Sequence, residues 1–395
     1  MDSRQATQAC ARPWVVWFAS RIDDPVGRLK FLQAVTPLAV PQVRRRPLWR
    51  FGIAAILLLA VLGSIFILRA SARVKTVIAA RPRPRISETQ PPPVNVWLVD
   101  ASADSETYSN GLRIDTRFAT GNHARSYVAF PADQPDDGAG VPRTEPAGIV
   151  FHTTESRQVP FAASANGALK QIGESLIDFV RREHAYHFLI DRFGRVYRIV
   201  AEGDAANHAG YSIWSDDKWL YLNLNESFLG VSFETRTEPG QLESTVSPAQ
   251  IHSAAMLTQM LRDRYGISAA NCVTHAQVSV NPDNMRVGYH TDWASSFPFA
   301  QLGLPDNYAR PLPALTAFGF EYDTTFLRWA GTRLYAGVES AEEELGRNAA
   351  ASGLTRDSLA RMLRKRYRAR LAEVRGRKDA GEAAEGPAAT SPGGT

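Results

Sequence analysis

The sequence predicts an α/β fold, a mixed central β-sheet flanked by helices, carried behind one N-terminal transmembrane helix. Three observations point there. Residues 51–68 run without a charge or a proline. Between 147 and 304, short apolar runs of strand type alternate with two long helical patterns. Gly/Pro-rich polar stretches separate these blocks from one another.

The apolar run FGIAAILLLAVLGSIFIL spans Phe51 to Leu68. About 18 residues at helical rise are just enough to cross a hydrocarbon core. Arg44, Arg45, Arg46 and Arg50 precede it and Arg69, Arg73 and Lys75 follow. Uniform apolarity so sharply bounded by charge argues against a buried core helix. The run begins too late for a cleaved signal peptide, so an uncleaved anchor is expected. The denser basic cluster precedes it, which favours an N-terminus inside the cell. The chain would then be single-pass in the cytoplasmic membrane, with residues beyond 68 on the extracytoplasmic side.

The expected organisation follows from composition. Residues 1–50 are a cytosolic segment containing Trp14, Trp17 and Trp49, and 69–93 form a linker whose AARPRPRISETQPPP is extended and semi-rigid. Residues 94–146 form a small β-rich or irregular region ending in the loop-like PADQPDDGAGVPRTEP. The main domain covers 147–304, a helical extension 305–378, and an Ala/Gly/Glu/Pro-rich tail expected to be disordered covers 379–395.

Within the main domain the elements can be read in order. AGIVFHT is a strand. Leu169, Ile172, Leu176, Phe179 and Val180 recur at helical spacing, giving an amphipathic helix over 166–184. Tyr186–Asp191 and Arg195–Val200 flank an Arg-Phe-Gly turn and read as a hairpin. Gly230–Thr235 is a further strand. Ser247, Pro248 and Gln250 supply an N-cap, a first-turn proline and a capping-box partner for a helix that runs to Tyr265 and stops at Gly266. Asn271–Thr274 is a last short strand, leading into His275.

The formal charge of +5 suits an anionic partner such as a membrane surface or wall polymer, and no nucleic-acid motif accompanies it. Two cysteines far apart, Cys10 and Cys272, give neither a disulfide framework nor a Cys-x-x-Cys metal pair. Cys272 reads as a small buried hydrophobe. The basic run 361–377 reads as a solvated helical face.

The chemistry lies in the histidines. His152, His187, His208, His275 and His290 fall within one domain, and Asp292 follows His290 by two places. A hydrolytic zinc centre takes nitrogen, sulfur or carboxylate donors and keeps one position open for water. His152, His275 and Asp292 would provide two nitrogens and one oxygen. Tyr197 reads as hairpin packing, while His184 and His252 lie on predicted helices as solvated residues. Trp214, Trp219 and Trp293 either line a sugar groove or cover the core.

Taken in order, IVFHTT, YHFLIDRFGRVYRIV, NHAG, GVSFE and VTHAQ…YHTDW resemble the zinc amidases. That family is shared by bacterial N-acetylmuramoyl-L-alanine amidases, phage lysozyme-type amidases and peptidoglycan recognition proteins. The resemblance covers about 147–304. It implies one Zn2+ on His152, His275 and Asp292, and a substrate that is peptidoglycan or a muropeptide. It also implies Tyr186 near the metal, His208 on the substrate groove, and His290 where many relatives carry a lysine. Two departures stand out. The stretch from His275 to Asp292 is longer than usual, so VNPDNMR must loop out, and Asp283 is a rival ligand. The position where some relatives place a catalytic glutamate is Ser232, with Glu234 two residues on and on the same strand face. Glu234 is therefore either a helper of the zinc-activated water or a plain strand-end carboxylate. Other readings are a peptidoglycan-binding module without catalysis, an interaction scaffold, and a cytosolic enzyme recycling wall fragments.

Overall fold

The computed structural model describes residues 95–384 apart from 134, 136, 137, 239–244 and 323. The expected anchor 51–68, the segments on either side of it and the end of the tail lie outside the described residues. Among those described, no helix is long and apolar enough to cross a membrane.

An eight-stranded mixed sheet organises the molecule. Its strands include β1 (Leu98–Ala101), β2 (Ser105–Tyr108), β3 (Arg113–Asp115), β6 (Gly148–Thr153), β7 (Phe188–Ile190), β8 (Val196–Arg198), β11 (Phe228–Phe233) and β12 (Cys272–Thr274), in the order β1-β2-β3-β8-β7-β11-β6-β12. At its centre β11 runs parallel to both β6 and β7, and β12 runs parallel to β6. The β7–β8 pair is the antiparallel hairpin that the Arg-Phe-Gly turn foretells, with Gly194 at φ 78. The segment ahead of Pro146 supplies β1–β3 to this same sheet. It also supplies β4 (Tyr127–Pro131) and β5 (Val141–Arg143) to a four-stranded sheet completed by β9 (Trp214–Ser215) and β10 (Trp219–Tyr221).

Strand alternation divides the core. Ile149 and Phe151 of β6 and Val231 and Phe233 of β11 point to one face, where they meet Leu257, Met260 and Leu261 of the helix Pro248–Tyr265. On the other face Leu189 and Tyr197 meet Ile177 and Val180 of the helix Asn166–Arg182. The sheet is thus covered on both sides, as parallel strands require. The helix Pro248–Tyr265 begins with the full capping box: Gln250 N–H donates to Ser247 Oγ, and Ser247 N–H donates to Gln250 Oε1. It stops at Gly266 in the left-handed conformation. Buried Cys272 packs in the main core, as a small hydrophobe should.

Two further helices, Thr324–Ala351 and Arg356–Ala384, follow the sheet, the second running into the expected tail. The basic run on the last helix is only partly a solvated face. Arg364 donates to Gly319 O and Glu321 Oε1, and Arg366 donates to Ala317 O. Arg370 donates to the carbonyls of Pro135 and Gly138 while lying over the Phe130 ring. Guanidinium groups carry five donors in a fixed fork, which suits them to capping the carbonyls of turns. Between these arginines, Tyr367 is wholly buried with its ring against Phe318 and Phe320.

The Tyr367 ring should dominate the docking of this helix, because its hydroxyl finds no hydrogen-bond partner among the described residues. Tyr367→Ala is expected to cost about 3–5 kcal/mol in urea unfolding, as truncation of a buried aromatic does. Tyr367→Phe should lie within about 1 kcal/mol of wild type, since it removes only an unpaired polar group.

Candidate active site

The site sits at the carboxyl ends of β6 and β12, where open α/β sheets present their ligands. His152 is the fifth residue of β6, and Ser232 of β11 is its register partner, so both side chains leave the sheet on one face. His275 follows β12 directly and opens a single helical turn, His275–Val278, that Thr274 and Gln277 cap reciprocally. Asp292 arrives from a loop. The intervening stretch folds out as a small hairpin, Val280–Asn281 against Arg286–Val287, which accommodates the extra length seen in the sequence. Asp283 lies exposed near its tip. The return is fixed by Ala276 N–H donating to Asp292 O at 3.2 Å. Trp293, next in the chain, adopts φ 59 and donates from Nε1 to His152 O at 2.9 Å.

His152, His275 and Asp292 come together as a buried group whose donor atoms all lie within 4.8 Å of one another. Asp292 Oδ2 is 3.3 Å from His152 Nδ1, and Asp292 Oδ1 is 2.8 Å from His275 Nδ1. Ligand atoms held about 2.0–2.1 Å from a tetrahedral ion stand about 3.3 Å apart, so the spacing fits one small divalent cation. The other nitrogen of His275, Nε2, is buried with no hydrogen-bond partner among the described residues.

The electrostatics agree with an ionised Asp292 and a neutral His152. Burial alone would raise the Asp292 carboxyl, but the charge of His275 and the close contacts of His152 and His275 with its two oxygens outweigh it and hold the group well below the usual range. Burial, helped by His275 and opposed by Asp292, pushes His152 down to about 4. A neutral imidazole and an ionised carboxylate are what a metal requires of its ligands.

Around this group stand the other expected residues. Tyr186 lies at φ 64, and the preceding His184 at φ 49. This pair of left-handed residues turns the tyrosine ring to 5.0 Å from that of His152. Left-handed conformations in non-glycine residues are costly and cluster at functional sites. Burial and the Asp292 charge raise the Tyr186 hydroxyl to about 12, with the Ser232 hydroxyl opposing, so Tyr186 is a neutral donor. The exposed His290 stacks on His275 with ring centres 4.6 Å apart and 20° between planes. Partial burial and His275 shift its pKa down against Asp292, which leaves it neutral at pH 7. His208 contacts His152, Nδ1 to Nε2, at 3.1 Å.

Glu234 is not brought into the cluster. Its Oε2 accepts from Arg192 N at 3.1 Å and faces Gly173 of the helix Asn166–Arg182, and its charged neighbours are Asp191, Arg192 and Arg195. The strand position facing the metal group is held by Ser232. His187 is buried, taking Gly230 N–H on Nδ1 and lying against Arg125 and Asp204 O, so it is structural. Trp214 and Trp293 are core residues.

Three residues carry weight that sequence reading did not assign. Asn225 Oδ1 collects the backbone N–H groups of His208, Ala209 and Gly210 at 2.7–2.9 Å. Glu155, exposed at φ 51, accepts from Thr153 Oγ1 and Thr237 N, and Thr237 Oγ1 accepts from Trp293 N. These contacts fix the rim of the site and leave no periodic or spacing signal in the sequence.

Residues 142–292 match the family model for N-acetylmuramoyl-L-alanine amidases. This segment belongs to that family. The amidase segment is well under half of the chain, and it holds every member of the buried group. No curated protein matches the sequence. Among solved structures, the chain is similar to the N-acetylmuramoyl-L-alanine amidase LysC from Clostridium intestinale, with 23% identity, 40% of this chain and 83% of that one covered, and a TM-score of 0.26. For the amidase AmiD from E. coli, in complex with an anhydro-N-acetylmuramic acid peptide substrate, identity is 20%, coverage 51% and 89%, and TM-score 0.31. For the Drosophila peptidoglycan recognition protein SD the corresponding values are 17%, 43% and 86%, and 0.28.

The depressed histidines make the metal-free protein sensitive to acid. An unfolded histidine takes up a proton near pH 6.5, whereas folded His152 resists until about 4, and buried His187 and His208 shift the same way. The unfolded state therefore binds more protons across that window, and stability present above pH 6.5 is lost as pH falls. His152 alone should account for about 3 kcal/mol between pH 7 and pH 4. Urea midpoints taken in steps over this range should fall steadily. A flat or rising series would show that these imidazoles are not held neutral.

Proposed function

We propose that this chain is a zinc-dependent amidase that cleaves the bond between N-acetylmuramoyl and L-alanine in peptidoglycan or muropeptides. We further propose that the apolar segment 51–68 holds it at the cytoplasmic membrane, with the amidase domain on the outer side. The observation that carries the enzymatic reading is the buried His152, His275 and Asp292 group inside the amidase segment.

His152, His275 and Asp292 would hold the ion. Bound zinc lowers the pKa of a coordinated water towards about 7 and polarises the scissile carbonyl. The chain's own groups supply the rest. Tyr186 presents a neutral hydroxyl beside His152, positioned to donate to the carbonyl oxygen as it gains negative charge. His290, neutral and exposed over His275, offers a ring N–H to the same oxygen or to the departing amine. A neutral ring still carries one N–H, so donation here does not require an imidazolium. Water exclusion falls to the rim formed by Glu155, Thr237 and Trp293.

A second reading has one observation in its favour. With Ser232 at the strand position facing the buried group and Glu234 turned towards Arg192, no glutamate among the described residues joins that group to take a proton from an attacking water. A peptidoglycan-binding module without catalysis would tolerate that.

Zinc content and peptide release from purified sacculi separate the two. The full chain should carry about one zinc per molecule and free stem peptides, and His275→Ala should do neither. Binding to sacculi without release would favour the binding module. His290→Ala should keep its zinc and lose about 10²–10³-fold in kcat, the range for loss of one transition-state donor. An unchanged kcat would remove His290 from the reaction.

A further inference from the structure

We infer that His208 is a positioning residue for the metal centre, fixing His152 in the tautomer that turns a bare Nδ1 towards the ion. This rests on the proposed metal site, and it differs from the sequence reading, in which His208 lines the substrate groove.

The argument starts at a carbonyl. His208 Nε2 lies 3.2 Å from Phe228 O, which can only accept, so this nitrogen carries the ring proton. A neutral imidazole has one N–H, which leaves His208 Nδ1 as an acceptor. That atom is 3.1 Å from His152 Nε2, so His152 Nε2 must be the donor. The proton of His152 is then spent on the side away from Asp292. Its Nδ1 faces Asp292 Oδ2 at 3.3 Å with a lone pair on each atom and no hydrogen between them. Two acceptors confronting each other in a buried group are stable only with a cation bridging them. The tautomer relay thus selects for metal at the atom that must bind it.

His208 is built to do this. Asn225 Oδ1 gathers the N–H groups of residues 208, 209 and 210, which sets the backbone of the Asn-His-Ala-Gly turn. The ring rests on Gly230, where an added Cβ would lie 2.7 Å from His208 Cγ. Glycine at 230 is therefore what lets the imidazole approach the sheet. The relay is also one-sided: His275, the other histidine ligand, has no such partner on Nε2 among the described residues. His152 is the ligand whose orientation is prescribed from outside the group.

The test is zinc affinity, measured on the full chain by competition with a chromophoric chelator. His208→Phe fills the same space on Gly230 but cannot accept a proton, whereas His208→Gln offers an amide oxygen. Loss of a partner that orients a metal-bound histidine weakens binding by about 10–100-fold. His208→Phe should show that loss, and His208→Gln should stay within about threefold of wild type. If His208→Phe unfolds, His208→Ala takes its place, since it too removes the acceptor. Wild-type affinity in the non-accepting variant, with loss confined to muropeptide binding, overturns the inference. Equal weakening in the Phe and Gln variants overturns it as well, because a merely structural residue would behave that way. A wild-type chain without zinc would instead remove the proposed function itself.

Discussion

A buried carboxylate, Asp292, is the constraint on which the rest of the site depends. An ionised group this far from water costs several kcal/mol unless charge and hydrogen bonds compensate it. His275 meets that requirement on one oxygen at 2.8 Å, and His152 stands 3.3 Å from the other. Each is delivered by the end of a parallel strand, β6 for His152 and β12 for His275. Neighbouring parallel strands place their ends side by side, so two ligands can come from rigid elements and the third from a loop that closes on them. The main-chain bond from Ala276 to Asp292 and the indole bond from Trp293 to His152 hold that loop to both strands.

The helical extension gains a purpose from this arrangement. Its first part runs beside the outlooped hairpin: Glu321 N–H donates to Met285 O, and Val287 N–H donates to Glu321 O. Phe326 packs against Gly288, where any side chain would collide with it, and Gly288 sits at φ 78, which glycine adopts freely. The residues that lead into His290 and Asp292 are thereby pinned from outside the amidase segment. Arg364 ties the last helix to Gly319 and Glu321, so the basic run acts first as internal bracing.

Much of this was legible from the residues, for definable reasons. The helix Pro248–Tyr265 carries its own start and stop chemistry, and both were read correctly. The β7–β8 hairpin follows from its turn, and motif order singles out His152, His275 and Asp292, which the structure brings together. What escaped were features with no local period. Ser232 and Glu234 share a strand face, yet a backbone N–H from Arg192 draws the carboxylate away, a contact between residues 42 apart. Asn225 resembles any loop asparagine until three amide groups converge on it. The joining of β3 to β8 depends on a parallel pairing between distant segments, which strand propensity alone cannot indicate.

Among the described residues no glutamate joins His152, His275 and Asp292, which sharpens the chemical question. If water is activated without a carboxylate base, the burden shifts to the electrostatics of the group and to the donors around it. One anionic and two neutral ligands would leave a bound divalent ion with net positive charge, which would favour ionisation of a coordinated water. In the proposed reaction Tyr186 and His290, both neutral, would add hydrogen bonds without adding a competing charge. A relay that keeps His152 Nδ1 free of its proton serves the same end, since it directs a lone pair of undiminished basicity to the ion. Glu155 is a second carboxylate whose charge reaches Tyr186, and its Oε1 accepts from Thr153 and Thr237. Those contacts suit it to shaping the rim more than to moving protons, so the proposed chemistry would rest on His152, His275 and Asp292 with Tyr186 and His290 as neutral donors.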